Sequence, residues 1–270
     1  MGGAELRPDT PAAAQPDAPA VGWWPAAWRA PPRVRAGVTT RRGGVSTGPC
    51  GSFNLAEHVG DAPAAVAANR ARLAIALGLP AAPRWLRQVH GVGVAVERRE
   101  PAALAREPPE ADAAVAFEPG VVLAVLSADC LPVVLAHRAG DCIGIAHAGW
   151  RGLAAGVIER TVAALAVPAG ELTAWLGPAI GPAAFEVGAE VRAAFVAADA
   201  GAAPAFVANA RGRWQADLYL LARRRLQRLG ISEVAGGGAC TYVEAERFFS
   251  YRREPSCGRM ATLAWIEPAP

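Results

Sequence analysis

The sequence predicts a mixed α/β domain, because strand-like and helix-like segments alternate along the chain and its centre is rich in strands. Residues 121–127 form a continuous apolar run, which is typical of a strand buried on both faces. Two more apolar runs, 131–137 and 142–147, are separated by four residues, a gap short enough for a β-hairpin. We expect these three strands to form the middle of the fold.

The remaining elements are predicted from local signals on either side of this centre. Asp61 is a suitable N-cap for a helix that Gly78 and Pro80 would end. The predicted strands outside the centre cover 34–40, 84–97, 172–176, 234–242 and 259–266, and the predicted helices cover 62–78, 150–166, 188–198 and 214–229.

One domain is predicted over residues 31–268, since no boundary divides the chain after residue 30. Residues 1–30 are rich in Pro and Ala and are predicted to be a disordered tail. The first 20 residues lack the basic start of a signal peptide, and no stretch approaches the ~18 uninterrupted apolar residues of a membrane span. Five irregularly spaced cysteines indicate reduced thiols. We therefore expect a cytoplasmic protein without a membrane partner.

The basic residues exclude several kinds of chemistry. All 27 of them are Arg, and the chain contains no Lys. Without a side-chain amine, Schiff-base catalysis and a Walker phosphate loop are excluded. A net charge of +3, carried by scattered Arg, is too mild to indicate a nucleic-acid partner. Any anion site must use Arg, backbone N–H groups or a metal.

Cys130 and His147 are expected to meet at one end of the central hairpin. A four-residue loop would place Cys130 opposite Gly149, and a two-residue loop would place it opposite His147. Asp129 precedes the thiol, and a helix is predicted to begin just after His147. A thiol, an imidazole, a carboxylate and a helix N-terminus are therefore expected to converge.

This cluster fits two chemistries and one structural alternative. Cys130 and His147 resemble the thiolate–imidazole pair of a nucleophilic enzyme. They equally suit Zn²⁺ or copper, with His90 as a third ligand because it ends a strand-like run. The spacing of the three residues matches no short zinc motif, and a Cys and a His in an apolar region are often ordinary core residues.

The segment 148–152 suggests an anion site. Gly149 and Gly152 flank Trp150 and Arg151 at the predicted helix start, where backbone N–H groups are free. Arg151 would bind a phosphate through two hydrogen bonds. The alternative is an ordinary helix start with a solvated Arg.

Several short runs resemble a known family in the same order, from about residue 34 to residue 266. The runs are Thr39-Thr40-Arg41, Gly43-Gly44-Val45-Ser46, Asn54-Leu55, His58-Val59-Gly60-Asp61, Arg87-Gln88-Val89-His90, Ala128-Asp129-Cys130-Leu131-Pro132-Val133, His147-Ala148-Gly149-Trp150-Arg151-Gly152, Gly177-Pro178-Ala179-Ile180-Gly181, Phe185-Glu186-Val187-Gly188, Cys240-Thr241, Phe248-Phe249-Ser250-Tyr251-Arg252-Arg253-Glu254 and Gly258-Arg259. With these runs the chain resembles the YfiH-like or laccase-domain proteins, formerly called multicopper polyphenol oxidases and now viewed as purine nucleoside phosphorylases.

The resemblance implies a fold, a metal site and an activity. The fold is a single α/β domain of layered mixed sheets flanked by helices, an α-β-β-α-like sandwich. The metal ligands are His90, Cys130 and His147, with zinc as the metal and copper as the alternative. The activity is phosphorolysis of adenosine, inosine, guanosine and methylthioadenosine, together with adenosine deamination. Ala116 departs from the family pattern, which usually has Thr there.

On this basis we assign roles to individual residues. Cys130, Asp129 and Arg151 are the catalytic candidates, with Asp129 orienting a metal ligand or moving a proton. Purine nucleosides and phosphate are the expected partners, and the oligomeric state stays open. The candidates for contact with substrate or phosphate are Arg41, Ser46, Asn54, Gln88, Arg151 and Arg253.

Three alternatives to a zinc phosphorylase stay open. A four-copper oxidase needs about ten His, whereas this chain has 4, so phenol oxidation would be a side activity of one copper. A Cys130/His147 hydrolase or amidase would need no metal. A protein that binds a partner and keeps zinc only for structure would show no turnover.

Overall fold

The computed structural model describes residues 20–99 and 107–269, so most of the predicted tail, residues 1–19, lies outside it. The strands are β1 (Trp23–Pro25), β2 (Val34–Thr39), β3 (Val94–Glu97), β4 (Ala113–Ala116), β5 (Val122–Ser127), β6 (Leu131–His137), β7 (Ile143–Ala148), β8 (Leu172–Leu176), β9 (Glu186–Val187), β10 (Phe206–Ala208), β11 (Trp214–Ala216), β12 (Val234–Gly236) and β13 (Met260–Ile266). The helices are α1 (Pro63–Leu77), α2 (Trp150–Ala155), α3 (Val157–Leu165), α4 (Ala189–Ala198) and α5 (Leu218–Arg228), with short 3-10 helices at Gly48–Cys50, Ala169–Glu171 and Ala200–Ala205.

Two sheets pack face to face, and helices cover their outer faces. The first sheet has the order β1-β2-β13-β5, and the second has the order β12-β8-β6-β7-β4-β3. Apolar side chains of both sheets form the layer between them. Helix α1 covers the outer face of the first sheet, and α2 to α5 cover that of the second. The predicted α/β domain with an α-β-β-α-like sandwich is confirmed, and a small sheet of order β10-β11-β9 adjoins it.

The central strands form where the apolar runs predict them. Every residue of β5 and β7 is buried, and so is every residue of β6 before His137, because sheet and helix layers cover both faces. In the hairpin Leu131 pairs with Ala148, and the N–H of His137 donates to the carbonyl of Cys142. This is the register of the four-residue loop, which brings Cys130 opposite Gly149.

Two boundaries of the sequence-based prediction are wrong. Strand β1 pairs with β2, so the folded domain begins before residue 31 and the disordered tail cannot extend to residue 30. Asp61 is not the N-cap of α1: Ala62 occupies that position, and the Asp61 carboxylate instead accepts hydrogen bonds from Ser46 and Asn54.

Four predicted elements are shorter or divided, and one of them is the strand expected over 234–242, which covers only Val234–Gly236. The helix expected over 150–166 breaks at Gly156, whose positive φ of 98° ends α2 and begins α3. The helix expected from residue 214 starts only after Asp217, whose carboxylate caps it, because the preceding residues pair as β11. Of the strand expected over 84–97, only β3 is regular.

No helix in the described ranges is long and apolar enough to cross a membrane. All five cysteines lie in those ranges, and each is a free thiol.

His137, at the turn of the hairpin, is expected to make the stability of the fold depend on pH. Its two ring nitrogens contact Glu171 at 2.8 Å and Asp141 at 2.6 Å, and hydrogen bonds to these carboxylates raise its pKa. The stabilisation is therefore full below the unfolded pKa of about 6.5 and is lost as pH rises through the raised folded pKa. We expect His137→Gln to lower the free energy of unfolding by about 0.5–1 kcal/mol near pH 6 and by less near pH 9. Urea denaturation at both pH values measures the difference, and an equal loss at both would contradict the ion-pair explanation.

Candidate functional site

His90, Cys130 and His147 meet at the end of the central hairpin. Their ligand atoms all lie within 4.8 Å of one another, and the Cys130 Sγ is 3.9 Å from His90 Nε2. His147 is buried in β7, Cys130 is half-buried in the turn before β6, and His90 lies exposed in the loop before β3. The two rings meet edge to face with centroids 4.9 Å apart. The structure thus brings together three residues that are widely separated in sequence.

Asp112, directly before β4, is a site residue that the sequence analysis missed. Its side chain is fully buried, and one oxygen lies 2.9 Å from His147 Nδ1. The same carboxylate accepts the backbone N–H groups of Val89, His90 and Gly91 at 3.1, 2.9 and 2.7 Å. The sequence signal for this residue was an acidic side chain next to a fully apolar strand, because a buried carboxylate requires hydrogen-bond or ion-pair partners.

The electrostatics of the cluster favour a thiolate beside an imidazolium. Burial acts to raise the pKa of Cys130, but the charge and hydrogen bonds of His147 and His90 outweigh it and lower the pKa to about 6. For His147, burial acts to lower the pKa, while Cys130 and Asp112 raise it to about 9. Hydrogen bonds from His147 and the loop amides outweigh burial at Asp112 and lower its pKa.

Asp129, the predicted orienting carboxylate, binds groups on the other side of the turn. It accepts hydrogen bonds from Thr241 Oγ1 at 2.6 Å, Ser250 Oγ at 3.1 Å and the backbone N–H of Arg252 at 2.7 Å. Its own carbonyl accepts the N–H of Ile180 at 2.9 Å. The orienting contact to His147 comes from Asp112 instead, and Asp129 holds three loops together beside Cys130.

Two glycines allow α2 to approach the cluster closely. A Cβ added at Gly149 would lie 2.8 Å from the Cys130 Sγ and 3.2 Å from His90 Cδ2. A Cβ at Gly152 would lie 2.8 Å from the carbonyl oxygen of Gly91. The Gly-Trp-Arg-Gly run is therefore a packing requirement of the cluster, whatever ligand its helix start contacts.

A cleft of about 560 Å³ opens beside the cluster. Its size is in the range of small-ligand sites. Three arginines line it, and each stacks on an aromatic ring that also lines it: Arg151 on Trp150, Arg252 on Phe185 and Arg259 on Tyr251, with ring distances of 4.5, 5.6 and 5.6 Å. The lining residues are His58, Gln88, His90, Leu126, Ser127, Ala128, Asp129, Cys130, His147, Trp150, Arg151, Ile180, Phe185, Tyr251, Arg252 and Arg259.

The charge of this cleft is positive. Asp129 is its one acidic lining residue within the described part of the chain, and three hydrogen bonds already engage its carboxylate. Arg151 is exposed, and no carboxylate or hydrogen-bond acceptor in residues 20–99 and 107–269 contacts its guanidinium. Burial and the nearby Arg259 and Arg70 lower the pKa of His58, so its imidazole is neutral at pH 7. The cleft therefore suits an anionic ligand.

Of the six substrate candidates, Gln88 and Arg151 line the cleft, whereas Arg41 and Arg253 do not. Arg41 donates to the carbonyls of Gly51 and Ala245. Arg253 donates to backbone carbonyls of the loop that carries Tyr251 and Arg252. Both guanidinium groups thus bind loop carbonyls, and their assignment as phosphate ligands stays a prediction.

Ser46 and Asn54 also lie away from the cleft lining. The Ser46 hydroxyl donates to Asp61 and accepts from Asn69, and the fully buried Asn54 bonds Asp61 and the N–H of Arg259. They form an internal polar network under the loop after β2. Through Asn54 this network binds the backbone of Arg259, and the assignment of Ser46 and Asn54 to substrate contact stays a prediction.

Half of the cleft residues that the sequence analysis did not select belong to the aromatic–arginine pairs. Phe185, Tyr251, Arg252 and Arg259 occur in runs that carried the family resemblance, but nothing in their local sequence marks which Arg faces a cleft. In the run Tyr251-Arg252-Arg253 only the first two line it. The choice is made by Asp129, which anchors the backbone of Arg252.

A second group of possible metal ligands, His137, Asp141 and Cys142, lies at the opposite end of the hairpin. Both ring nitrogens of His137 already contact carboxylates. Burial and the Asp141 charge raise the pKa of Cys142 to about 11, which keeps its thiol protonated. This group is better described as an ion-paired turn.

The chain is similar to known proteins over most of its length. A family model described as multi-copper polyphenol oxidoreductase laccase matches residues 35–267. The chain is 53% identical over 246 residues to a purine nucleoside phosphorylase of Pseudomonas aeruginosa, covering 91% of this chain and 98% of the relative. It is 51% identical over 239 residues to purine nucleoside phosphorylase YfiH of Escherichia coli, covering 88% and 96%.

Solved structures show the same fold. A Neisseria meningitidis protein superposes with a TM-score of 0.86 at 47% identity, covering 92% of this chain and 100% of that one. YlmD of Geobacillus stearothermophilus superposes with a TM-score of 0.83 at 30% identity, covering 94% and 98%. Since the family match spans most of the chain and the relatives align over nearly their whole length, the chain belongs to the YfiH-like, laccase-domain family.

Proposed function

We propose that the chain is a purine nucleoside phosphorylase that binds a metal ion through His90, Cys130 and His147. The observation that carries the proposal is the position of this donor cluster in a cleft whose other charged groups are mostly arginines. Similar proteins of P. aeruginosa and E. coli are named purine nucleoside phosphorylases. A metal beside an arginine-lined cleft suits a reaction in which phosphate meets a neutral nucleoside.

Zinc is the metal that fits this donor set best. Two imidazoles and one thiolate are the ligands zinc prefers, and three protein ligands leave a fourth position for substrate. Copper is the alternative, since it also binds Cys and His. When bound, the ion would act as a Lewis acid on an oxygen atom in the cleft. With 4 His in the chain, a four-copper cluster is excluded and phenol oxidation is at most a side activity of a single copper.

The arginines are proposed to hold phosphate. Arg151 is the leading candidate because its guanidinium is exposed in the cleft without an anionic partner among the described residues. Arg252 and Arg259 line the same cleft, although each also donates to backbone carbonyls. Since the chain has no Lys, guanidinium groups are its only permanent side-chain cations for this purpose.

In phosphorolysis a phosphate oxygen forms a bond to C1′ of the ribose while the bond from C1′ to the purine nitrogen breaks. The purine leaves with the bonding electrons and takes up a proton. Positive charge develops on the ribose in the transition state, so a phosphate dianion held in place by Arg151 would stabilise it. Phe185 and Tyr251 offer ring faces for the purine. Asp129 would hold the loop that carries Tyr251 by accepting the backbone N–H of Arg252.

The finer assignments rest on the resemblance to the family. We propose adenosine, inosine, guanosine and methylthioadenosine as substrates, with deamination of adenosine as a second activity. Five free thiols support a reducing compartment, the cytoplasm, as the place of action.

One assay on adenosine separates the candidate reactions. The purified protein is analysed for zinc and copper and is then incubated with adenosine, with and without phosphate. We expect about one zinc per chain and adenine release that requires phosphate. Adenine release without phosphate would indicate a hydrolase and would overturn the proposal, whereas inosine formation would reveal the deaminase activity. Full turnover in metal-free protein would remove the metal from the proposal.

Replacing Arg151 tests the phosphate site. We expect Arg151→Gln to raise KM for phosphate about tenfold or more, because a hydrogen bond to a charged group contributes about 1.5–3 kcal/mol. The matched control is Arg160→Gln, an exposed Arg on α3 outside the cleft lining, which should leave KM unchanged. An unchanged phosphate KM in Arg151→Gln would assign phosphate binding to Arg252 and Arg259.

A metal-free thiol hydrolase is the second candidate, because the pKa of Cys130 is lowered to about 6 beside His147. Such a pair would attack an acyl or amide carbon directly. Iodoacetamide that labels Cys130 equally with and without zinc, and that abolishes activity on labelling, would favour this candidate. Protection of Cys130 by zinc would favour the metal site.

A further inference from the structure

We propose that Asp112 is the positioning residue that organises both histidines of the cluster, and that it fixes Nε2 as the metal-facing nitrogen of His147. The inference rests on the proposed metal site. It adds a residue that none of the sequence motifs selected, and it adds a specific binding mode for one ligand.

Asp112 has four donors around one buried carboxylate. Three are the successive backbone N–H groups of residues 89–91, at 2.7–3.1 Å, and the fourth is His147 Nδ1 at 2.9 Å. Its side chain has 0% exposure, so water cannot replace these partners. A buried carboxylate that receives several N–H groups is stabilised in its charged form and makes strong hydrogen bonds.

His147 is held at two points by this one residue. Its backbone N–H donates to the carbonyl of Asp112 at 2.7 Å, and its Nδ1 contacts the Asp112 side chain. Because Nδ1 donates to the Asp112 carboxylate, Nε2 is the ring nitrogen left to face the metal, and the proton that Nε2 carries in the imidazolium would leave when the metal binds. The ring is therefore fixed both in its position and in the nitrogen that it presents to the metal.

His90 is held through its backbone. It has a φ of 61°, a left-handed conformation that costs free energy in a residue with a Cβ. The N–H groups of Val89, His90 and Gly91 all point at Asp112, which holds the loop in this conformation. The exposed His90 ring has no other hydrogen-bond partner among the described residues than Cys130, so the loop backbone must set its position.

The test compares Asp112→Asn with the wild type. An amide has one accepting oxygen and brings two donors of its own, so it cannot serve all four N–H groups. Zinc affinity is measured by chelator competition, and the cobalt-substituted protein is followed by its absorption spectrum. We expect a 10–100-fold weaker zinc affinity and an altered cobalt spectrum in Asp112→Asn, the usual effect of losing the partner of a ligand histidine.

The matched control is Asp61→Asn. Asp61 also accepts three hydrogen bonds, from Ser46 Oγ, Asn54 Nδ2 and the backbone N–H of Ala62, but it lies outside the cleft lining and none of its donors is a histidine of the cluster. Its zinc affinity should stay within about threefold of the wild type. An Asp112→Asn protein with wild-type zinc affinity would overturn the inference while leaving the metal site intact. A wild-type protein without zinc affinity would overturn both.

A second measurement does not depend on the folding of a variant. Nitrogen-15 NMR of the zinc-loaded wild type should show His147 with a proton on Nδ1 and the metal shift on Nε2. Zinc bound through Nδ1 would contradict the inference, because that nitrogen faces Asp112.

Discussion

Cys130→Ser is expected to lose zinc and purine nucleoside turnover together. The Cys130 Sγ supplies the single sulfur among the three ligand atoms, and a hydroxyl is a far weaker ligand for zinc at neutral pH. Loss of a partner behind a ligand costs about 10–100-fold in metal affinity, so loss of the ligand itself should cost more than about 100-fold. Metal analysis and phosphate-dependent adenine release measure the two effects on one preparation.

The control is Cys142→Ala on the same hairpin. Cys142 is buried at the far end of that hairpin, and burial raises its pKa to about 11, so it is a protonated packing residue. This variant should keep about one zinc per chain and its activity. A Cys130→Ser protein that retains zinc but loses turnover would favour a nucleophilic thiol, and one that retains both would contradict either role.

Gly149→Ala is expected to have the second largest effect, although it adds only a methyl group. The new Cβ would lie 2.8 Å from the Cys130 Sγ and 3.2 Å from His90 Cδ2, closer than ordinary van der Waals contact. The backbone of Gly149 has φ −60° and ψ 159°, which Ala adopts readily, so the cost comes from crowding alone. We expect a loss of about 1–3 kcal/mol in the free energy of unfolding and a zinc affinity at least about tenfold weaker.

Gly170→Ala is the matched control for this change. Gly170 lies in the 3-10 helix before β8, and a Cβ there would have nothing within 4 Å. Its stability and zinc content should match those of the wild type. Should Gly149→Ala bind zinc as tightly as the wild type, the close approach of α2 would not be needed for the metal centre.

Much of the fold can be predicted from this sequence because its central strands are buried on both faces. The apolar runs of β5, β6 and β7 stand out for that reason, and the short gap between β6 and β7 predicts their hairpin. The edge strands of the sheets are harder to predict. Strand β1 has only three residues and is stabilised by pairing with β2, a partner that its own composition does not reveal.

Part of the site could also be predicted from the sequence, because it depends on local geometry. The meeting of Cys130 and His147 follows from local hairpin geometry, which leaves only the register open. The four-residue register was decided by the pairing of the whole hairpin with its neighbours β4 and β8. His90 was a candidate ligand because it ends a strand-like run, and the family resemblance strengthened the assignment, since no sequence spacing connects His90 with the hairpin.

The sequence by itself determined the α/β class, the central hairpin, the absence of lysine chemistry and the family, since these depend on local patterns and composition. Only the tertiary structure decided which carboxylate serves the cluster and which arginines face the cleft. Asp112 meets His147 because β4 pairs with β7, and Arg252 faces the cleft because Asp129 holds its backbone. Such contacts join residues far apart in the chain, and a buried charge selects its partners only once the sheets have packed.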